Sequence, residues 1–519
     1  MDSAKYFEYV VERMKQERER SGVLLEQEST GKVLGCVEQA LVVKRAVWVA
    51  TALPKLIETN KLDQLKLLNE LFYRLGPEHL DTLRRVFRDY VKTEVATLVT
   101  DKTQDSEMIS RLVSFRHQCN TAALQSLLDC TSPNSIPDQR YHDGLLDGLR
   151  EGFKARRSKP AELLAKRLDE LLRKGSKGDE VGFWRSLNDV IQLCRHTDDK
   201  DVLKAYYLRA LAKRLLVRRS ASDEDELRVL DLLNNDVPDI SAAKNYFKDI
   251  TFSKELNDAF HTKHPTHTSL TVNVLQQGNW PFIPPQKEVT LPHEMRDALA
   301  AYITFYKAEK TVHSTRKLIW NWALFTAVVT ARFKTETKEL SVSVLQALVL
   351  LLFNDTEKPT WSWTEIKGAV DIEEDELKRT LQSLACGKKR VLKKVPAGRD
   401  VNENDEFQFN ADFQDPRARV HINSIQVKET AEEHQRTESS IQDDRKHYLD
   451  AAIVRIMKAK KELTYEQLKT ETIESVRRHF MPEVQDIKKR VEALTEQEYI
   501  ERKSRGGDDR ELNVYMYVA

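Results

Sequence analysis

Ile453-Val-Arg-Ile-Met-Lys-Ala-Lys-Lys461 is the stretch on which the reading of this chain turns. At 100° per residue, Leu449, Ala452, Ile453, Ile456 and Met457 fall at i, i+3, i+4, i+7 and i+8 on one stripe, the pattern of a helix that buries a single face. Lys458 points almost opposite that stripe. An exposed lysine is ordinarily no more than solvated surface, so its meaning depends on what surrounds it. Lys460 and Lys461 follow, and Lys460 swings back toward the apolar side if the helix continues.

Working outward, helices are expected at 443–460, at 465–480 with Pro482 as the stop, and at 483–497, followed by two strands around Gly506-Gly507. That is a winged-helix order over 443–519. Residues 428–442 are polar and nearly free of apolar side chains until Ile441, as in a solvated connector that lets the following domain move. A second winged-helix pattern lies at 341–415, with helices at 342–354, 363–370 and 373–385 and strand-like runs at 391–395 and 406–410. Flanking it, 270–275, 316–322, 327–333 and 419–426 carry strand periodicity, so a small α/β sheet region is expected over 256–340 with 416–427. A sheet assembled from remote segments leaves an edge that a partner's strand can join.

Further upstream the period is helical. Leu62, Leu65, Leu68, Phe72 and Leu75 form one stripe, Gly76-Pro77 stops it, and Leu80, Leu83, Val86, Phe87, Tyr90 and Val91 form the next. Stacked helix pairs of this kind over 1–130 make a stalk. More helices follow over 131–255, where Lys213, Arg214, Arg218 and Arg219 read slightly better as the solvated end of a helix than as a docking patch.

The 519 residues hold Lys+Arg 83 against Asp+Glu 82, a formal charge of +1, so no global field draws the chain to nucleic acid or an anionic membrane. Charged residues at 32% with only Gly 16 and Pro 15 fit long surface helices, and the whole is expected to be mainly α and elongated. Cys36, Cys119, Cys130, Cys194 and Cys386 lack C-x-x-C or zinc-ligand spacing, so neither a metal site nor a cofactor is expected. The first residues lack a signal-peptide layout and the longest apolar run, near 344–353, is too short for a bilayer; a soluble intracellular protein is expected.

Asp443-Asp-Arg-Lys-His-Tyr-Leu-Asp-Ala-Ala-Ile-Val-Arg-Ile-Met-Lys458 resembles the C-terminal signature of the cullins, scaffold subunits of RING ubiquitin ligases. Ile487-Lys-Lys-Arg-Val-Glu-Ala-Leu494, the run from Glu498 to Arg502 and Tyr515-Met-Tyr-Val-Ala519 resemble the same family. So do Tyr206-Tyr-Leu-Arg-Ala-Leu-Ala-Lys-Arg-Leu-Leu216 in the family's four-helix bundle, Gly278-Asn-Trp-Pro281, and Leu377-Lys-Arg-Thr-Leu-Gln-Ser-Leu-Ala-Cys-Gly387. Ser220-Ala-Ser222 and Lys428-Glu-Thr430 tilt the likeness to the fourth class, which uses a damaged-DNA-binding-type adaptor, with the third class still open.

The resemblance implies a truncated cullin-repeat stalk at 1–130, a four-helix bundle at 131–255, a RING-box-binding α/β region and two winged helices, with Lys458 receiving the ubiquitin-like modifier through an isopeptide link. It implies a RING-box protein docked by strand addition near Leu270, Val272, Val274, Trp280, Trp320, Trp322, Val420 and Ile422, although the tryptophans are most simply core. It also implies an E2 held through the RING, an exchange factor, a deneddylating signalosome, residence in nucleus and cytoplasm, no catalytic residue, and a substrate-adaptor site that is missing because the stalk starts late. Two other functions compete. A winged-helix DNA-binding protein would use Lys488, Lys489, Arg490, Arg502, Lys503, Arg505 and Arg510 on phosphates, yet 443–519 holds sixteen Lys+Arg and sixteen Asp+Glu, with no basic excess. A thioester-forming ligase would need an activated Cys386, for which the buried structural reading is preferred.

Overall fold

The computed structural model describes residues 2–129, 136–217, 220–282, 289–309, 316–354, 358–370, 372–422, 431–505 and 512–518. The chain divides into two compact units, one of 1–242 with 440–519 and one of 243–439.

The first unit opens as a helical array: α1 (Ser3–Leu24), α2 (Gln27–Leu41), α3 (Ala46–Ala50), α4 (Leu53–Glu58), α5 (Leu62–Leu75), α6 (Pro77–Thr100), α7 (Met108–Gln125), α8 (Gln139–Phe153), α9 (Lys159–Lys174), α10 (Glu180–Cys194), α11 (Lys200–Leu216) and α12 (Asp223–Asn234). The expected stripes are the buried faces: Leu65, Leu68 and Phe72 on α5, and Leu80, Leu83, Phe87, Tyr90 and Val91 on α6. Gly76, at φ 110°, makes the turn between them and Pro77 opens α6. Helix α8 lies close against α6 because Gly148 and Gly152 face it. A Cβ at Gly148 would sit 2.8 Å from Val91 and one at Gly152 2.6 Å from Val95, so no larger residue fits.

Arg214 corrects the reading of a solvated helix end. Its guanidinium is buried, bonded at 2.7 Å through Nε and Nη2 to Glu226 and through Nη1 to Asp169 at 2.5 Å. The partners lie 12 and 45 residues away, on α12 and α9, so an arginine that looks unpaired locally is neutralised from a distance. Arg218 and Arg219 lie outside the described residues.

In the second unit, α13 (Lys244–Lys263) and α14 (His293–Glu309) precede β1 (Thr326–Arg332), β2 (Thr337–Ser343), α15 (Val344–Leu352), β3 (Thr360–Ser362), α16 (Trp363–Val370), α17 (Glu374–Ala385), β4 (Leu392–Val395), β5 (Glu406–Phe409) and β6 (Arg419–His421). Two three-stranded sheets result, ordered β1-β2-β6 and β3-β5-β4. Strand β2 is antiparallel to β1 and parallel to β6, and was not expected from its mixed Thr337-Lys-Glu-Leu-Ser-Val-Ser343 pattern. Alternation still holds in three dimensions, because Leu340 and Val342 face the core while Glu339 faces solvent.

Two expected strands are not strands. Residues 316–321 are irregular and lead into a 3₁₀ turn, Trp322–Leu324. Residues 270–275 are extended yet belong to no sheet. Of the run 419–426, only Arg419–His421 forms a strand, and 423–426 lie outside the described residues.

The chain ends with α18 (Ala431–Lys460), β7 (Glu462–Thr464), α19 (Tyr465–Val476), α20 (Val484–Glu496), β8 (Ile500–Arg505) and β9 (Leu512–Tyr517), the strands ordered β7-β9-β8. The polar stretch expected to be a connector is helical from 431 and continuous with the first helix of the winged module; 428–430 lie outside the described residues. Polar side chains do not stop a helix that lacks Gly and Pro, so low hydrophobicity was the wrong signal for a hinge.

Candidate functional site

Lys458 sits in the last turn of α18. The stripe opposite it is buried as expected, with Leu449, Ala452, Ile453 and Met457 in a core completed by Leu468, Val476, Ile487, Val491, Leu494, Ile500 and Tyr515. That burial, at about 1.5–3 kcal/mol per large aliphatic side chain, fixes the helix's rotation and therefore the direction of Lys458. Its side chain is exposed and makes no ion pair with any described residue.

The two neighbouring lysines are engaged. Lys460 Nζ donates to Glu471 Oε1 at 2.5 Å. Lys461 occupies the left-handed region at φ 68°, donates its backbone N–H to the Met457 carbonyl at 2.8 Å and places Nζ 5.1 Å from the Tyr517 ring centre.

A second candidate feature is a backbone edge. Along 270–274 the chain runs beside α13, whose side chains replace a neighbouring strand. Asn257 donates to the Val272 carbonyl and accepts from its N–H, at 2.8 and 2.9 Å. Ser253 accepts from the Val274 N–H at 2.8 Å, and His261 Nε2 lies 2.7 Å from the Leu270 carbonyl. Ser253, Asn257 and His261 recur every four residues, so one helix face matches the two-residue repeat of an extended chain. All these bonds fall on the even-numbered residues. Thr271 and Asn273 are exposed, and their backbone groups have no partner among the described residues. In the sheet, β1 pairs only with β2, and its other edge is open among the described residues.

The side chains expected around a partner's strand are not gathered into one lining. Leu270, Val272 and Val274 pack with Phe260 and Tyr302. Trp322, Val420 and Ile422 belong to the core beneath β2, and Trp320 packs against both clusters. Trp280 stacks on Tyr246 at 4.3 Å and donates to Asp249 at 2.8 Å, a structural post. What the region offers is main chain rather than a side-chain pocket.

Burial pushes the Cys386 thiol upward, against the pull of Lys394 and Arg390, so the thiolate that nucleophilic chemistry needs is disfavoured. Arg490, one of the residues a DNA reader would use, is instead tied to Asp450 by bonds of 2.7 and 2.5 Å. Lys488 and Lys489 are exposed, while Arg510 lies outside the described residues. Among the described residues, no group of three or more His, Cys, Asp or Glu could hold a metal ion, and no helix is long and apolar enough to cross a membrane.

Sequence reasoning missed Arg445. Its guanidinium bonds Asp199 and Asp201, 246 and 244 residues away, a separation that no local pattern signals.

Three family models match the chain: the Cullin alpha solenoid domain at 1–257, the Cullin alpha+beta domain at 274–413 and the Cullin protein neddylation domain at 444–506. Among curated proteins it is 37% identical to mouse Cullin-4A over 99% of this chain and 66% of that protein. It is 32% identical to Cullin-3A of Arabidopsis thaliana over 100% of this chain and 70% of that protein, and 31% identical to rice Cullin-1 over 98% and 69%. The chain thus spans about two thirds of the length of these relatives, and its likeness to Cullin-4A exceeds that to the other two.

Proposed function

This chain belongs to the cullin family, and on that premise we propose that it is a non-catalytic scaffold of a RING ubiquitin ligase, modified on Lys458 by a ubiquitin-like protein. The observation that carries the modification site is the state of three neighbouring amines. Lys460 and Lys461 are held by Glu471 and Tyr517, whereas Lys458 stands free on the helix face opposite the core, within the stretch matched by the neddylation-domain model. An isopeptide bond replaces a compact cation with a neutral amide carrying a folded domain, while the scaffold performs no chemistry. The test is mass spectrometry of the modified chain together with Lys458→Arg, which keeps the charge and cannot form the link. Loss of the mono-modified band is expected, and its persistence would move the site elsewhere.

In the same reading a RING-box protein joins by strand addition, and an E2 arrives through its RING; an exchange factor, a deneddylating enzyme and a nuclear and cytoplasmic distribution follow from family membership. The half-used edge at 270–274 and the open edge of β1 support strand addition, because main-chain groups left unpaired in a dry interface are costly and an incoming strand satisfies them. Removing the partner's N-terminal strand should abolish the complex; unchanged binding would refute strand addition and leave the Lys458 assignment standing.

A further inference from the structure

The sheet β3-β5-β4 has an open edge of its own: β4 has β5 on one side and, among the described residues, no strand on the other. Its pairing fixes which main-chain groups stay open. The Asn410 N–H donates to the Val391 carbonyl at 2.9 Å, so Val391 with Asn410 is a hydrogen-bonded pair of the antiparallel ladder. Along the register, Lys393 opposite Gln408 is the next such pair, and Leu392 and Lys394 fall in the positions that do not bond β5. The far side of β5 agrees. The Trp363 N–H donates to the Asp405 carbonyl at 3.0 Å, which turns Phe407 toward Trp361 of β3 and leaves Gln408 for β4. The N–H and C=O groups of Leu392 and Lys394 therefore point away from β5, into the open side.

Charge around this edge is of one sign. From Gly387 to Arg399 the chain carries Lys388, Lys389, Arg390, Lys393, Lys394 and Arg399, and neither Asp nor Glu. Three of these cations are answered from elsewhere: Lys394 by Asp405, Lys389 by Asp415, and Lys393 by Asp412, which also serves Lys334. Lys388, Arg390 and Arg399 are exposed and form no ion pair with a described residue. Lysine on an edge strand commonly guards it against pairing with another neutral strand. Such a guard needs charge on the strand itself, whereas here the unanswered cations lie on the flanks, before Leu392 and after Val395. The edge strand of the second winged helix, β8, instead mixes signs, with Glu501 next to Arg502. Open main-chain groups ringed by cations reject a basic strand and select an acidic one. Nucleic acid fits worse. In a DNA reader of this order the helix laid in the major groove is α17, which opens with Glu374, Asp375 and Glu376.

We propose that the open edge of β4 takes up an extended acidic segment of a partner protein as a fourth strand, with Leu392 and Lys394 giving the main-chain bonds and Lys388, Arg390 and Arg399 the counter-charge. The site lies on a different sheet from the edge of β1 and depends neither on the RING-box reading nor on Lys458. Val395 is exposed on the same face of β4 as Lys393, so a segment that alternates acidic and apolar residues matches the edge.

The probe is a dye-labelled peptide of alternating glutamate and valine, titrated against the full chain and followed by fluorescence anisotropy. Binding is expected, and it should weaken steeply toward about 1 M salt, where the screening length falls to about 3 Å. Lys388→Glu, Arg390→Glu and Arg399→Glu together, all at exposed positions, should weaken it about tenfold or more. The same peptide N-methylated on every residue keeps its side chains but cannot donate, and should lose binding. Hydrogen exchange on the wild-type complex gives the position: the amides of Leu392 and Lys394 should slow, while that of Lys393, which faces Gln408, should not change. Absence of binding to wild type would overturn the proposal, as would equal binding by the triple variant or by the N-methylated peptide, or unchanged exchange at Leu392 and Lys394. A DNA duplex that binds more tightly than the peptide and displaces it would overturn the acidic segment in favour of nucleic acid.

Discussion

The two winged helices share one local device, at the first helix of one and the second of the other, and close differently. In each, a strand runs straight into a helix through a capping box, Ser343 with Gln346 at α15 and Thr464 with Gln467 at α19. The first module then merges its core with its surroundings: Leu377, Leu381 and Phe407 are continuous with Leu340 and Val342 of β2, Val420 and Ile422 around β6, and Leu299 of α14. The second closes on itself. A module that shares its core loses protection together with its neighbours, whereas one whose core is closed loses it locally. It is the second that carries Lys458.

The largest expected effect comes from breaking the shared module. Lys394 and Asp405 form a buried pair at 2.9 Å, and Asp405 also accepts from the Asn402 N–H at 2.7 Å. Lys394→Met strands that carboxylate in the interior and should cost about 3–5 kcal/mol in urea unfolding. Because the core is continuous, the first winged helix and the β1-β2-β6 sheet should melt together. Two separate transitions would break the comparison. Replacing Asp405 as well, with Leu, should return most of the loss.

Ile453→Ala probes the closed module and should cost about 3 kcal/mol, as large-to-small changes in cores do. Here the loss should stay local: amides of 448–517 lose protection, and those of α5 and α6 keep theirs. Spread into the helical array would mean that the module's core is not private.

Acid should act on the helical array. Burial holds His196 down at about 4, helped by Arg116, Arg150, Lys200 and Arg195. Its folded value lies below the unfolded one, so the unfolded chain takes up the proton first, and the stability present above the unfolded pKa of 6.5 is lost as pH falls toward 4. Between pH 7 and pH 5 the change should be about 2 kcal/mol, and a His196→Gln chain should show a flatter profile by calorimetry. Equal slopes would assign the acid sensitivity to other groups.

Helical stripes were legible because burial of one face imposes a period, and α5, α6 and the 443–460 part of α18 read correctly from spacing. The exposure of Lys458 was legible for the same reason, as the residue opposite the stripe of Ile453. Long-range partners were not. Residues 270–275 look like a strand because they are extended and β-branched, but their hydrogen bonds go to Ser253, Asn257 and His261 on a helix. Strand β2 was hidden by a buried lysine, Lys338, whose Nζ meets Glu336. Arg214 looked solvated and Arg445 drew no reading at all, since acids that arrive from 45 and 244 residues away leave no local trace.

The smallest effect tests the turn by which the second module closes. Lys461 holds φ 68° just after α18, a conformation costing an ordinary L-residue roughly 1–2 kcal/mol and asparagine less. The position is fixed from both sides, because its N–H bonds the Met457 carbonyl and its own carbonyl accepts from Tyr517 N–H at 2.9 Å. The lysine recovers part of the strain through its charge over the Tyr517 ring, about 0.5 kcal/mol at an exposed site. Lys461→Asn relieves the backbone and gives up the ring contact, so a net gain of about 0.5 kcal/mol is expected, seen as a small rise in the melting temperature of this module alone. The same variant removes one competing amine, and the mono-modified band should persist in it. A destabilised module would mean that the ring contact outweighs the strain, and loss of the band would place the acceptor at Lys461 and not at the free amine three residues earlier.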